Sequence, residues 1–82
     1  MENNTTENRI QQALAEVVLQ RRKQLGYTQT DLQADAQLER SHISRIEHAQ
    51  RDPRFSTIIH LEIALELPPG ELTRKVRKLL DL

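Results

Sequence analysis

Apolar residues recur along this chain three and four positions apart, and no stretch shows the period-two alternation of a half-buried strand. The first segment with helical spacing runs from about Asn8 to Leu25 and carries Ile10, Leu14, Val17, Val18 and Leu25. Gly26 follows, where a left-handed residue closes a helix. The second segment, Thr28 to Ala36, is short; Thr28 is placed to cap it, and Asp31 stands where the acid of a capping box belongs. Gln37, Leu38 and Glu39 form a turn. A third segment runs from Arg40 to about Ala49 with Ile43 and Ile46 facing inward. After a loop with Asp52 and Pro53, a fourth segment rich in Ile and Leu covers about Ser56 to Glu66. Pro68, Pro69 and Gly70 interrupt the pattern, and Pro69 suits the first turn of a fifth helix over about 69–81, with Leu72, Val76, Leu79 and Leu80 as its apolar positions. The pattern predicts an all-α chain of five helices, with residues 1–8 as a flexible polar tail and residues 9–82 as one domain.

Composition narrows the function. A chain of 82 residues buries only about 60% of its unfolded surface, so it needs an efficient core or a partner subunit. It has no cysteine, which excludes disulfides, thiol chemistry and cysteine-based zinc sites. Tyr27 and Phe55 are the only aromatic residues, too few for a stacking platform on single strands. No apolar run approaches the roughly 18 residues of a membrane span. The residues from Met1 to Asn8 lack the apolar region of a signal peptide, so a soluble cytoplasmic protein is expected. No glycine-rich phosphate loop, nucleophile motif or HExxH is present, so neither catalysis, nor a cofactor, nor a small-molecule ligand is expected. His42 and His48 have no third ligand at a convincing spacing, so no metal is expected.

Formal net charge is zero, which argues against a non-specific nucleic-acid coat. The charge is unevenly placed. Arg40, Arg45, Arg51 and Arg54 lie within fifteen residues that hold only Glu47 and Asp52 in opposition. Two further basic runs are Arg21-Arg22-Lys23 and the group Arg74, Lys75, Arg77 and Lys78.

Two short helices joined by a three-residue turn are the signature of a helix-turn-helix, although tight turns also occur in other bundles. The stretch Leu25-Gly-Tyr-Thr-Gln-Thr-Asp-Leu32, followed by Ala36, Leu38, Ile43-Ser44, Ile46-Glu47 and Pro53, is more specific. It resembles the phage-repressor and Cro-like (Xre) helix-turn-helix family, in register and without gaps over about residues 10–80. The resemblance implies a five-helix, lambda-repressor-like fold that binds operator DNA as a symmetric dimer. The chain departs from the family at Gln33, where an alanine is usual, at Gln37 and Ala49, where glycines are usual, and at Glu62, another alanine position. A non-glycine residue in a left-handed turn costs free energy, so Gln37 implies mild strain or a shifted turn.

The resemblance also assigns roles. Arg40, Ser41, Ser44 and Arg45 stand on the outward face and N-terminal end of the third helix, where a groove-entering helix meets base edges. Arg40 and Arg45 suit bidentate bonds to guanine O6 and N7. Gln29, His42, His48, Arg51 and Arg54 are expected at phosphates, which set position and affinity but not sequence. Gln29 is also expected to brace a side chain of the recognition helix. Arg22 and Glu47 match a structural arginine–glutamate pair between the first and third helices. At Glu62 and Ile63 the polarity is inverted relative to the family. Either the fourth helix is rotated slightly, or Ile59 and Ile63 form an apolar stripe, which is expected to meet a partner together with Leu72, Val76, Leu79 and Leu80 in a two-fold dimer. The expected function is a transcriptional regulator, a repressor or activator by position, binding double-stranded DNA at a near-palindromic operator as a homodimer. The compact format resembles stand-alone phage repressors, Cro-like proteins and the controller proteins of restriction-modification systems. The alternative is an antitoxin-like or interaction module whose main partner is another protein.

Overall fold

The computed structural model describes residues 5–82 and contains five helices in chain order: α1 (Thr6–Gln24), α2 (Gln29–Ala36), α3 (Arg40–Glu47), α4 (Phe55–Ala64) and α5 (Glu71–Leu80). All the described residues outside them are turns and short connections, with no strand. Thr5 caps α1 by accepting the Asn8 amide at 3.1 Å, so the helix starts two residues before the expected boundary. Of the tail expected over residues 1–8, residues 6–8 are therefore helical, and residues 1–4 lie outside the described part. The capping box of α2 forms in full: the Asp31 amide donates to Thr28 Oγ1 at 3.1 Å and the Thr28 amide to Asp31 Oδ2 at 2.8 Å. These bonds hold the Asp31 carboxyl below the usual carboxylate range.

Every helix gives way to a left-handed residue: Gly26, Gln37, Ala49, Glu66 and Asp81. Such a residue turns the chain back so that its own amide, or the next one, reaches an orphan carbonyl of the last turn. After α3, for example, Ala49 donates to Ile46 at 3.1 Å and Gln50 to Arg45 at 2.8 Å, which is the Schellman pattern. Gly26 alone among the five is a glycine. Gln37 answers the turn question directly: the turn is unshifted, and the side chain accepts the left-handed conformation at φ 57°. Glu66 is held there by tertiary bonds, since Arg21 donates to its carbonyl and Tyr27 to its carboxylate. Ala49 has no comparable side-chain support. The left-handed cost of roughly 1–2 kcal/mol exceeds the entropy cost of glycine, about 0.5–1 kcal/mol. Ala49→Gly should therefore stabilise the fold by about 0.5–1 kcal/mol and raise Tm by a few degrees. A lower Tm in thermal denaturation would contradict this account.

The core forms where these helices cross. Leu14, Val17 and Val18 of α1, Leu32 and Ala36 of α2, Ile43 and Ile46 of α3, Leu61 and Ala64 of α4 and Leu72 and Val76 of α5 are all buried together, with Leu65 beside them. Ile10, expected in this set, is instead partly exposed on the first turns of α1. α1 is the central element, packing against both α3 and α5, while α2 is sandwiched between α3 and α4. Arg21 ties α1 to α4 by donating from Nε to the Leu65 carbonyl at 2.8 Å and from Nη2 to that of Glu66 at 3.1 Å, satisfying the C-terminal end of α4.

The fifth helix begins at Glu71, not at Pro69. Gly70 is its N-cap and brings no side chain to the orphan amides of the first turn. Glu62 supplies the missing acceptors from α4. Its carboxylate takes the Gly70 amide at 3.0 Å and the Leu72 amide at 2.8 Å. The acid that looked out of place in the sequence therefore joins α4 to α5, and the polarity inversion at residues 62 and 63 involves no rotation of α4 out of its core register, since Leu61, Ala64 and Leu65 remain buried.

Candidate nucleic-acid interface

The recognition helix is fixed by its inward face. Ile43 and Ile46 are fully buried, and Glu47 follows them into the interior with a side chain only 3% exposed. A carboxylate there requires partners, because an unpaired buried charge is costly. Arg22 of α1 approaches it in a fork, Nε to Oε2 at 2.6 Å and Nη2 to Oε1 at 3.0 Å. The remaining Arg22 nitrogen, Nη1, donates to the Tyr27 carbonyl at 2.8 Å. Gln29 of α2 donates from Nε2 to Glu47 Oε1 at 2.9 Å. One carboxylate thus binds α1, α2 and α3 together. The hydrogen bond to Glu47 also strengthens the hold of Arg22 on its proton. The arginine–glutamate pair and the Gln29 brace expected from the sequence are both present, and they belong to one network.

With that face locked, the opposite face of α3 is left to solvent. Arg40, Ser41, Arg45 and His48 are exposed and Ser44 is half-buried. Arg51 and Arg54, in the connection to α4, are also exposed. None of these four arginines forms an ion pair among the described residues, so their charge is available to an outside anion. α3 ends at Glu47 with His48 as its cap, shorter than the expected run to Ala49. His48 Nδ1 lies 2.7 Å from the Ser44 carbonyl. A carbonyl only accepts, so Nδ1 carries the hydrogen and the ring points Nε2 away from that bond.

His42 departs from its expected place at a phosphate. It sits on the flank of α3, and its Nε2 is buried without a hydrogen-bond partner. Burial first, then the nearby charges of Arg51 and Arg45, hold its imidazole below the ordinary histidine range, so the ring stays neutral. A neutral ring with an inward-facing nitrogen brings no charge to a phosphate. The linkage has a definite sign. The unfolded chain takes up this proton more readily than the folded one, so folding stability is lost as pH falls below about 6.5 and through the lower folded value. His42→Gln should flatten the acid side of the stability–pH curve; an unchanged slope in denaturant titrations would rule His42 out as its source.

The six residues expected at a dimer interface separate into groups. Leu72 and Val76 are buried in the chain's own core and cannot meet a partner. Leu80 is partly buried against that core, and Leu79, half exposed, lines clefts shared with α1. Helical spacing in α5 explains this correction, because positions 72, 76, 79 and 80 share the face that packs on α1. Ile59 and Ile63 remain outward, 42% and 69% exposed, and Phe55 joins them at 78%. The three stand at i, i+4 and i+8 along α4 and form one stripe. Placing the start of α4 at Ser56 hid Phe55; the same spacing rule extended one turn would have found it.

A scan against family models matches residues 18–72 to the family described as "Helix-turn-helix". A comparison with curated proteins found no match. Among solved structures, the chain is similar to a variant of the restriction-modification controller protein C.Esp1396I, with a TM-score of 0.81 at 24% identity over 98% of this chain and 95% of that one. The wild-type controller gives a TM-score of 0.79 at 24% identity, covering 87% of this chain and 91% of that one. A C.Esp1396I tetramer in complex with its natural 35 base-pair operator gives 0.77 at 25% identity, covering 84% and 91%. The family match spans most of the chain and includes the tri-helical Glu47 network and the whole of α3, so this protein belongs to the Xre-like helix-turn-helix family.

Proposed function

We propose that this protein is a sequence-specific DNA-binding transcriptional regulator that occupies a near-palindromic operator as a homodimer. The observation that carries the reading is the division of α3 into two faces. Its inner face is immobilised through Glu47, and its outer face offers Arg40, Ser41, Ser44 and Arg45, whose arginines have no ion-pair partner among the described residues. A helix held this way enters the major groove with little freedom left to lose, and its arginines are free to bond guanine edges. Gln29, His48, Arg51 and Arg54 surround it as phosphate contacts that set register on the duplex. The operator complex of the structurally similar C.Esp1396I supports the same use of this fold, and its tetrameric form supports assembly on DNA.

The dimer contact falls to the stripe of Phe55, Ile59 and Ile63. A two-fold axis through such a patch makes it self-complementary, and the dimer spaces the two recognition helices about 34 Å, or one DNA turn, apart.

Selection from a pool of random duplexes at moderate salt tests the function directly. A palindromic consensus with half-sites about one turn apart is expected. Recovery without a consensus, with affinity that collapses steeply in salt, would leave only phosphate attraction and favour a protein partner instead. On the selected site, Arg45→Ala should cost roughly 1–3 kcal/mol and relax preference at one base pair of each half-site. An unaltered preference profile would remove Arg45 from the reading set.

A further inference from the structure

The basic run of α5 has no part in the surface described above. Arg74 is paired with Glu71 at 3.4 Å, and Arg77 with Lys78 neutralises the C-terminal end of the helix. Lys75 is different. It is half-buried beside α1, Lys78 is exposed, and neither makes an ion pair or a hydrogen bond among the described residues. The two flank a cleft of about 400 Å³ between α1 and α5. Val17 and Leu79 contribute apolar surface to it, and Gln20, Arg21 and Gln24 complete the α1 wall. No carboxylate lines the cleft; the nearby Glu16 is engaged by Gln20 Nε2 at 3.2 Å and does not border it.

We propose that this cleft is a docking site for an acidic amphipathic helix of a partner protein. The chemistry is complementary on both counts. An apolar side chain of the partner covers Leu79, which is 50% exposed. Carboxylates one turn apart meet Lys75 and Lys78, which are themselves separated by a rise of about 4.5 Å along α5. Inorganic anions would leave the apolar surface unused. Operator DNA is an equally poor fit, because the cleft is lined by α1 and α5 and by no residue of the recognition helix α3. The site leaves the recognition surface and the α4 stripe free, so docking and DNA binding are compatible.

The test uses the full isotope-labelled chain and a synthetic peptide about four turns long, with leucines at i and i+4 and glutamates one turn apart. Amide shifts should concentrate at residues 17–24 of α1 and 75–79 of α5. The double variant Lys75→Glu, Lys78→Glu should weaken peptide binding at least about ten-fold while leaving the consensus duplex bound and the fold intact by circular dichroism. Three results would overturn the proposal. One is equal binding of a peptide with lysines in place of the glutamates. Another is displacement of the peptide by a random duplex, which would make the cleft a nucleic-acid surface. The third is loss of self-association in the double variant, which would assign the cleft to a second copy of this chain. Direct binding of the peptide is measured without DNA and so is read independently of the operator; duplex enters only the competition and the control.

Discussion

Glu47→Ala is expected to lower Tm by more than about 12 °C. The side chain is 3% exposed and accepts three hydrogen bonds, two from Arg22 and one from Gln29. Removing it leaves the Arg22 guanidinium, itself only 12% exposed, without its counter-charge, and strands the Gln29 amide. Breaking a buried pair from one side costs about 3–5 kcal/mol. Each kcal/mol shifts Tm by about 4–8 °C in a domain of this size. The total stability of such a domain is about 5–15 kcal/mol, so a substantial fraction of molecules would unfold on warming. DNA affinity should fall with it, because α3 loses the network that orients its outer face. Glu47→Gln keeps the shape and part of the hydrogen bonding, so its loss should be smaller. Thermal denaturation followed by circular dichroism reads both; wild-type melting of the alanine variant would mean that the network does not hold the three helices together.

Ile63→Glu is expected to abolish the dimer and lower operator affinity by about 10²–10⁴-fold, the factor that linking two half-site contacts supplies. Ile63 is 69% exposed, so the substitution disturbs no core packing and folding stability should change by no more than about 0.5 kcal/mol. In the proposed dimer the new charge would be buried against a partner, and it adds to Glu62 on α4 and to Glu66 just beyond its end. Sedimentation should report a monomer of 9.6 kDa, where a pair is expected for the parent. A variant that remains dimeric would place the two-fold axis elsewhere. A monomeric variant that binds its operator as tightly as the parent would separate dimerisation from recognition.

Both predictions start from positions that stand out in the sequence, yet their physical content differs. Glu47 was legible because family resemblance, helical register and a matching arginine all converge on it, and the structure returns the same pair with the Gln29 brace on the same carboxylate. Ile63 was legible only as an anomaly. Of the accompanying set, Leu72 and Val76 belong to the chain's own core, because an apolar helix face looks the same in sequence whether it meets its own core or a second copy. His42 carries the same lesson. The family resemblance puts it at a phosphate, and only packing reveals that its Nε2 is turned inward.

The sequence by itself determined the five helices, their order, the capping box at Thr28 and Asp31, the turn at Gln37 and the basic outer face of α3. These are matters of spacing within one turn or of residue chemistry a few positions apart, which local sequence encodes directly. The tertiary structure alone decided what Glu62 does, where α5 begins, and which apolar residues remain outside. Glu62 meets the Gly70 and Leu72 amides across a proline-containing turn, and Arg21 closes α4 from 44 residues away. Contacts at that separation depend on how helices cross, and the crossing is set by the simultaneous fit of all five in a single core.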